Sequence, residues 1–216
     1  MTQIDRPVLF FDCWYTLFES DMADDLKRIA ELLKVPFGRP LVKSFETAFM
    51  TSRGLDQKIW SRRLLKQLGL PVKSAQVEAI IQIIEAGFDR QRPYPDTLEA
   101  LDRLAHSHQL AMITNTSQAA FEHLDAAYGL SERFDSITAS YEVGVIKPDT
   151  RIFRMALERA GVSASQAIMI GDNPLDDIEG ARTAGFARAI LIDRRNRFPQ
   201  FEGRLKDLYQ ISTLDA

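Results

Sequence analysis

Val8-Leu9-Phe10-Phe11-Asp12-Cys13-Trp14-Tyr15-Thr16-Leu17-Phe18 is the stretch on which the rest of the chain is read. Four apolar residues run straight into one carboxylate. A short apolar run closed by a polar turn predicts a strand buried on both faces, as in a parallel sheet. Asp12 then stands at the carboxyl end of that strand, where open α/β sheets take their ligands. On this stretch alone a plainer role, a turn former or helix cap, accounts for Asp12 equally well.

Beyond Phe18 the pattern changes to helical spacing. Leu26, Ile29, Ala30 and Leu33 recur on one face, as do Leu41, Phe45, Ala48 and Phe49. Ile59, Trp60, Leu64 and Leu68 make a third stripe, and Val77, Ile80, Ile81 and Ile84 a fourth. Gly38, Gly54 and Gly69-Leu70-Pro71 separate them, and Ser74 is a candidate cap for the last. These stripes predict a small helical core.

Gln91-Arg92-Pro93-Tyr94-Pro95 breaks the helices, because a residue before proline is biased to extended backbone. Helix is then expected at 97–105, 118–127, 150–160 and 175–183. Strand is expected at 109–114, 136–139, 167–170 and 189–192, with a last short strand at 208–211. Strand and helix in turn imply right-handed crossovers and a parallel sheet. The expected fold class is therefore α/β, a Rossmann-like parallel sheet with an inserted all-helical domain. Residues 1–17 and 93–216 would form the discontinuous core, and 18–92 the insert, lying over the sheet edge that carries Asp12.

The chain has 216 residues and a formal net charge of −3, which gives no general pull toward nucleic acid or an anionic membrane. Hydrophobic residues at 45% and charged residues at 26% are ordinary globular usage. Arg194, Arg195 and Arg197 read as a solvated basic loop. Cys13 is the only cysteine, so no internal disulfide forms. His106, His108 and His123 lack metal-ligand spacing and read as surface histidines. The start of the chain has neither the basic nor the apolar region of a signal peptide, and a cytoplasmic location is the expectation.

Each later strand also ends in polar residues. Ala111-Met112-Ile113 runs into Thr114-Asn115-Thr116-Ser117, where a hydroxyl and backbone amides suit an oxyanion or simply cap the next helix. Lys147, directed by Pro148, suits a bound anion or a neighbouring carboxylate, although most lysines lie at the surface. Ile168-Met169-Ile170-Gly171-Asp172-Asn173-Pro174-Leu175-Asp176-Asp177 places three acids within six residues. Such acids repel one another unless a positive charge sits among them. Hard divalent cations take oxygen ligands of this kind. Complementing a helix dipole explains one of Asp176 and Asp177 but not Asp172 on a strand end.

With these four segments in order, the chain resembles the haloacid dehalogenase-like hydrolase superfamily, in the branch with a helical cap inserted after the first strand. The resemblance covers essentially the whole chain. It implies Asp12 as nucleophile and metal ligand, with Thr114, Asn115 and Lys147 binding the transferred group. It implies that Mg2+ is held by Asp12, Asp172, Asp177 and the backbone carbonyl of Trp14. Asp176 stands where many relatives have asparagine. A small-molecule, phosphorylated substrate and a monomeric or homodimeric protein are the further expectations, without nucleic-acid or membrane partners.

Trp14 departs from that pattern. Phosphatases of the family carry there a second aspartate, which protonates the leaving alkoxide and later activates water. A general acid or base typically contributes about 10²–10⁴-fold, and indole supplies neither function. Cys13 and Tyr15 flank the position but point elsewhere on an extended segment. Three readings stand. The first is a magnesium-dependent phosphatase, slow or using another acid. The second is a 2-haloacid dehalogenase, whose branch has an aromatic residue at this position but works without metal and needs a cap arginine, for which Arg53 is on offer. The third is a protein that binds a phosphorylated ligand with little or no turnover. A carbon–phosphorus hydrolase, needing a cap lysine such as Lys43, Lys58 or Lys66, is a minor variant.

Overall fold

The computed structural model describes residues 7–54 and 56–213. Residues 1–6 and 214–216, parts of the expected core, and residue 55 of the expected insert lie outside the described residues. The chain opens with β1 (Val8–Phe11) and the short β2 (Phe18–Glu19). Four helices follow: α1 (Met22–Leu33), α2 (Arg39–Phe49), α3 (Gln57–Gln67) and α4 (Ser74–Phe88). β3 (Arg92–Pro93) then returns antiparallel to β2, with Phe18 opposite Pro93. The alternating part runs α5 (Thr97–Ala105), β4 (Gln109–Thr114), α6 (Gln118–Tyr128), α7 (Leu130–Arg133) and β5 (Ser136–Ala139). It continues through α8 (Ser140–Val143), α9 (Thr150–Ala160), β6 (Ala167–Gly171), a π-helical turn (Pro174–Glu179), α10 (Gly180–Thr183) and β7 (Arg188–Leu191).

β1 is the middle strand of a five-stranded sheet in the order β5-β4-β1-β6-β7. Every pair is parallel, and Val8 lies opposite Gln109 on one side and Ala167 on the other. The alternation of the pleat sends Leu9 and Phe11 to one face, against Leu101, Leu104 and Leu124. Val8 and Phe10 face the other way, against Ile152, Phe153 and Ala181. Both faces are thus covered, which is why β1 carries no polar residue before Asp12. The chain order reverses at β1, with β4 and β5 on one flank and β6 and β7 on the other. That is the switch point at which such sheets open a crevice.

The helices α1 to α4 have a core of their own, built on Ile29, Phe45, Leu64 and Ile80. The chain leaves and re-enters the sheet region through the paired β2 and β3. No helix among the described residues is long and apolar enough to cross a membrane.

Four expectations need correction. Residues 208–211 are not a strand but part of a 3-10 helix, Leu208–Thr213. The Leu208 N–H donates to Asp96 Oδ2 at 2.6 Å instead of to a neighbouring strand. Ser74 is the first helical residue of α4, Lys73 takes the cap position, and no side chain caps it. The helix expected at 175–183 begins one residue earlier and starts as a π turn. The basic cluster is not simply solvated. Arg194 Nη1 grips both Asp96 oxygens at 2.7 and 2.8 Å, and its other nitrogens donate to the Thr16 carbonyl at 3.1 and 2.8 Å.

Candidate active site

Three strand ends build the site. The Asp12 N–H donates to the Ile170 carbonyl at 2.9 Å, so the β1–β6 ladder runs one residue past the strand and fixes Asp12 at its rim. On the other flank, the Asn115 carboxamide after β4 accepts from the Lys147 N–H at 2.8 Å and donates to the Lys147 carbonyl at 3.3 Å. This two-point grip holds the backbone of Lys147, whose peptide to Pro148 is cis. After β6, the Asn173 side chain accepts from the N–H groups of Leu175 and Asp176 at 3.0 and 3.1 Å, capping the π turn. The Asn173 N–H donates to Asp177 Oδ2 at 2.9 Å and turns that carboxylate inward. Gly171 makes this possible, because a Cβ there would collide with the Asp177 carboxyl group. Pi-helical turns occur often at functional sites because the extra residue re-aims a side chain.

Lys147 Nζ is the hub. It donates to Asp12 Oδ1 and Asp177 Oδ1, each at 2.6 Å, and to the Ile113 carbonyl at 3.1 Å. Burial works against its charge, but the two carboxylates outweigh burial and hold it protonated. Carboxylate oxygens of Asp12, Asp172 and Asp177 lie within 4.8 Å of one another. Burial pushes Asp12 up to about 7, Lys147 pulls the other way, and Asp177 adds to the rise. Burial, then Asp12 and Asp177, push Asp172 up to about 8, opposed by Arg197. Three buried acids share one buried ammonium, on Asp12 and Asp177, and the half-exposed Arg197 on Asp172, which still leaves positive charge in deficit. That deficit, together with an all-oxygen donor set, is the fit that a small hard dication requires.

Asp12 opens into a cavity of about 660 Å³, counting its mouth. Lys147, Asn115, Asp172, Asn173, Asp176 and Asp177 line its polar end, and Trp14, Tyr15, Met22 and Met50 its apolar wall. A mostly apolar pocket with a few convergent polar groups is the usual form of a small-molecule site.

Residues 7–185 match the haloacid dehalogenase-like hydrolase family. The chain belongs to this family. It is 41% identical over 143 residues to the phosphoserine phosphatase of Thermus thermophilus, a match covering 62% of this chain and 57% of that relative. It is 29% identical to the pyrimidine 5'-nucleotidase YjjG of Escherichia coli, covering 89% of this chain and 88% of the relative. Among solved structures it resembles the HAD phosphatase of Thermococcus onnurineus, with a TM-score of 0.65, 21% identity and 98% of each chain covered. That last likeness bears on the fold alone.

Within this haloacid dehalogenase-like fold, the structure brings Asp12, Lys147, Asn115, Asp172 and Asp177 to one point. Thr114 ends β4 fully buried, and its hydroxyl has no hydrogen-bond partner among the described residues. It does not line the cavity, whereas Asn115 does. The Trp14 indole is half-buried, borders the cavity and packs on the core below. Arg53 lies away from the cavity and pairs with Glu142 at 2.8 Å. Cys13 is buried, which pushes its thiol up and leaves it inert.

Thr16, Arg197 and Glu46 were given no role at the site by the sequence reading. Tyr15, expected to point elsewhere on an extended segment, instead has a left-handed backbone with φ 61° and lines the cavity. Thr16 Oγ1 donates to Asp12 Oδ2 at 3.2 Å. Arg197 pairs with Asp172, and Tyr15 lies beneath Arg195 and Arg197 with its ring 4.7 and 5.7 Å from their guanidinium carbons. Glu46 of α2 also lines the cavity. Its spacing from Arg39 and Lys43, at seven and three residues, puts all three on one helix face, and that was the available signal.

Proposed function

We propose that this protein is a magnesium-dependent phosphatase acting on a small phosphorylated metabolite, with Asp12 as the nucleophile. The observation that carries it is the buried triad of Asp12, Asp172 and Asp177 around Lys147, with two of its carboxyl groups pushed up toward or above neutrality. Mg2+ would be held by Asp12, Asp172, Asp177 and the Trp14 carbonyl, and would neutralise charge on the transferred phosphoryl group. Lys147 orients Asp12 and adds the second positive charge. Asn115, which borders the cavity just after β4, would meet a remaining phosphoryl oxygen, with the unpartnered Thr114 hydroxyl buried behind it. A carboxylate oxygen of Asp12 forms the new bond to phosphorus, the ester oxygen leaves, and water then cleaves the aspartyl phosphate. The block at 18–92 serves as the cap that walls the substrate from solvent.

The relatives include a phosphatase and a nucleotidase, which supports phosphoryl rather than halide chemistry. The dehalogenase alternative is weakened by the acid triad, since a carboxylate beside a dication attacks carbon poorly, and by Arg53, which is engaged elsewhere. The test measures phosphate release from p-nitrophenyl and acetyl phosphate and chloride release from 2-chloropropionate, with magnesium and with chelator. Magnesium-dependent phosphate release that Asp12→Asn abolishes is the expected result. Chloride release in chelator overturns it. So does inactivity on every substrate.

A further inference from the structure

We propose that Glu46 supplies the general acid and base that Trp14 removes from the usual position. This rests on the phosphatase reading above and names the residue that completes it. The cavity around Asp12 contains few groups able to move a proton. Asp12, Lys147, Asp172 and Asp177 are committed to the nucleophile and the metal. Asp176 is held by Asn173 Nδ2 at 2.8 Å. Tyr15 is a phenol that burial pushes further from neutrality, so it cannot serve as a base near pH 7. Glu46 is left. It projects from α2 into the same cavity and also lines the adjoining cleft with Arg39, Lys43, Thr47 and Asp176. It is half-buried, and its carboxylate has no hydrogen-bond or ion-pair partner among the described residues.

The environment of Glu46 suits both steps. Burial and the facing Asp176 push its carboxyl up to about 7, against the pull of Lys43, Lys147 and Arg39. Those four are the charged groups that face it, two from its own helix, one from the π turn and one from the loop before α9. A group poised near the working pH holds a proton for the first step and accepts one in the second. In the first step an Asp12 oxygen bonds to phosphorus, the bond from phosphorus to the ester oxygen breaks, and the Glu46 proton passes to that oxygen as the alcohol leaves. In the second, water bonds to phosphorus as the bond to Asp12 breaks, and its proton returns to Glu46. The sum is ester plus water giving alcohol plus phosphate, with both carboxyl groups restored.

The test compares wild type, Glu46→Gln, Trp14→Asp and the double variant, with magnesium, on p-nitrophenyl phosphate and β-glycerol phosphate. p-Nitrophenolate leaves without help, whereas an alkoxide needs a proton. Glu46→Gln is expected to lower kcat/KM, which reads the first step, by about 10²–10⁴-fold on the alkyl ester and about threefold or less on the aryl ester, while kcat falls on both because the water step is common to them. In the Trp14→Asp background a carboxyl beside Asp12 replaces the lost group, and the penalty on the alkyl ester shrinks. Equal losses of kcat/KM on both esters, or no loss on the alkyl ester, overturn the role of Glu46 and leave the phosphatase reading intact. So does a penalty undiminished by Trp14→Asp. Wild-type inactivity on both esters overturns the phosphatase reading and Glu46 with it.

Discussion

Lys147 Nζ lies 2.6 Å from Asp12 Oδ1, and the two side chains are 3% and 7% exposed. Neither charge has water to fall back on. Each is therefore tolerable only while the other is present, and Asp177 depends on the same ammonium.

Removing the lysine should show this directly. Lys147→Met strands two buried carboxylates, and breaking a buried pair in this way costs about 3–5 kcal/mol. Protonation relieves stranded acids, so the loss should be larger at pH 8 than at pH 5, roughly spanning the carboxyl range. Urea unfolding of the metal-free protein at both values checks it, and an equal loss at both contradicts it.

Magnesium should stabilise the fold more as pH rises. Asp12 and Asp172 sit at about 7 and about 8 in the fold, against an ordinary value of 3.8. Between the ordinary value and these, the folded state holds protons that the unfolded chain has lost. Metal-free stability therefore falls as pH rises through that window and levels off above it. A dication has to displace the same protons. The gain in Tm on adding magnesium should be small near about pH 6 and greatest above about pH 8. A gain independent of pH contradicts this.

Arg194 should matter to stability although it lies in a run that reads as surface. It is 6% exposed and paired with an equally buried Asp96. Arg194→Leu is expected to cost about 3–5 kcal/mol by urea unfolding, and adding Asp96→Asn to recover part of that by removing the stranded charge. A loss below about 0.5 kcal/mol would mark it as an ordinary surface residue.

The strands and the acids were legible for one reason. β1, β4 and β6 are apolar runs that stop at a polar residue, and in a parallel sheet the stop is the rim of the crevice. Asp12 and Asp172 stand at such stops, and Asp177 follows within one turn. Glu46, Arg194 and Arg197 were not legible, because a charge on a helix face or loop looks the same whether it meets solvent or a distant segment. Thr16 was hidden by being four residues from Asp12 in a loop that has no period. The Leu208 stretch failed because two apolar residues three apart fit a strand end or a helical turn alike, and Asp96, 112 positions away, decides between them.

The matched family region stops at residue 185, yet the guanidinium groups of Arg194 and Arg197 reach back to Asp96 and Asp172. The tail past that boundary acts as a buttress, through Arg197 for the candidate site and through Arg194 for the start of α5. A minimal domain excised at the boundary would keep every expected ligand and lose the strut on one of them, Asp172, together with the partner of the buried Asp96. Anyone trimming this protein for expression would therefore do well to cut beyond Ile211, which is buried in the same core as β1.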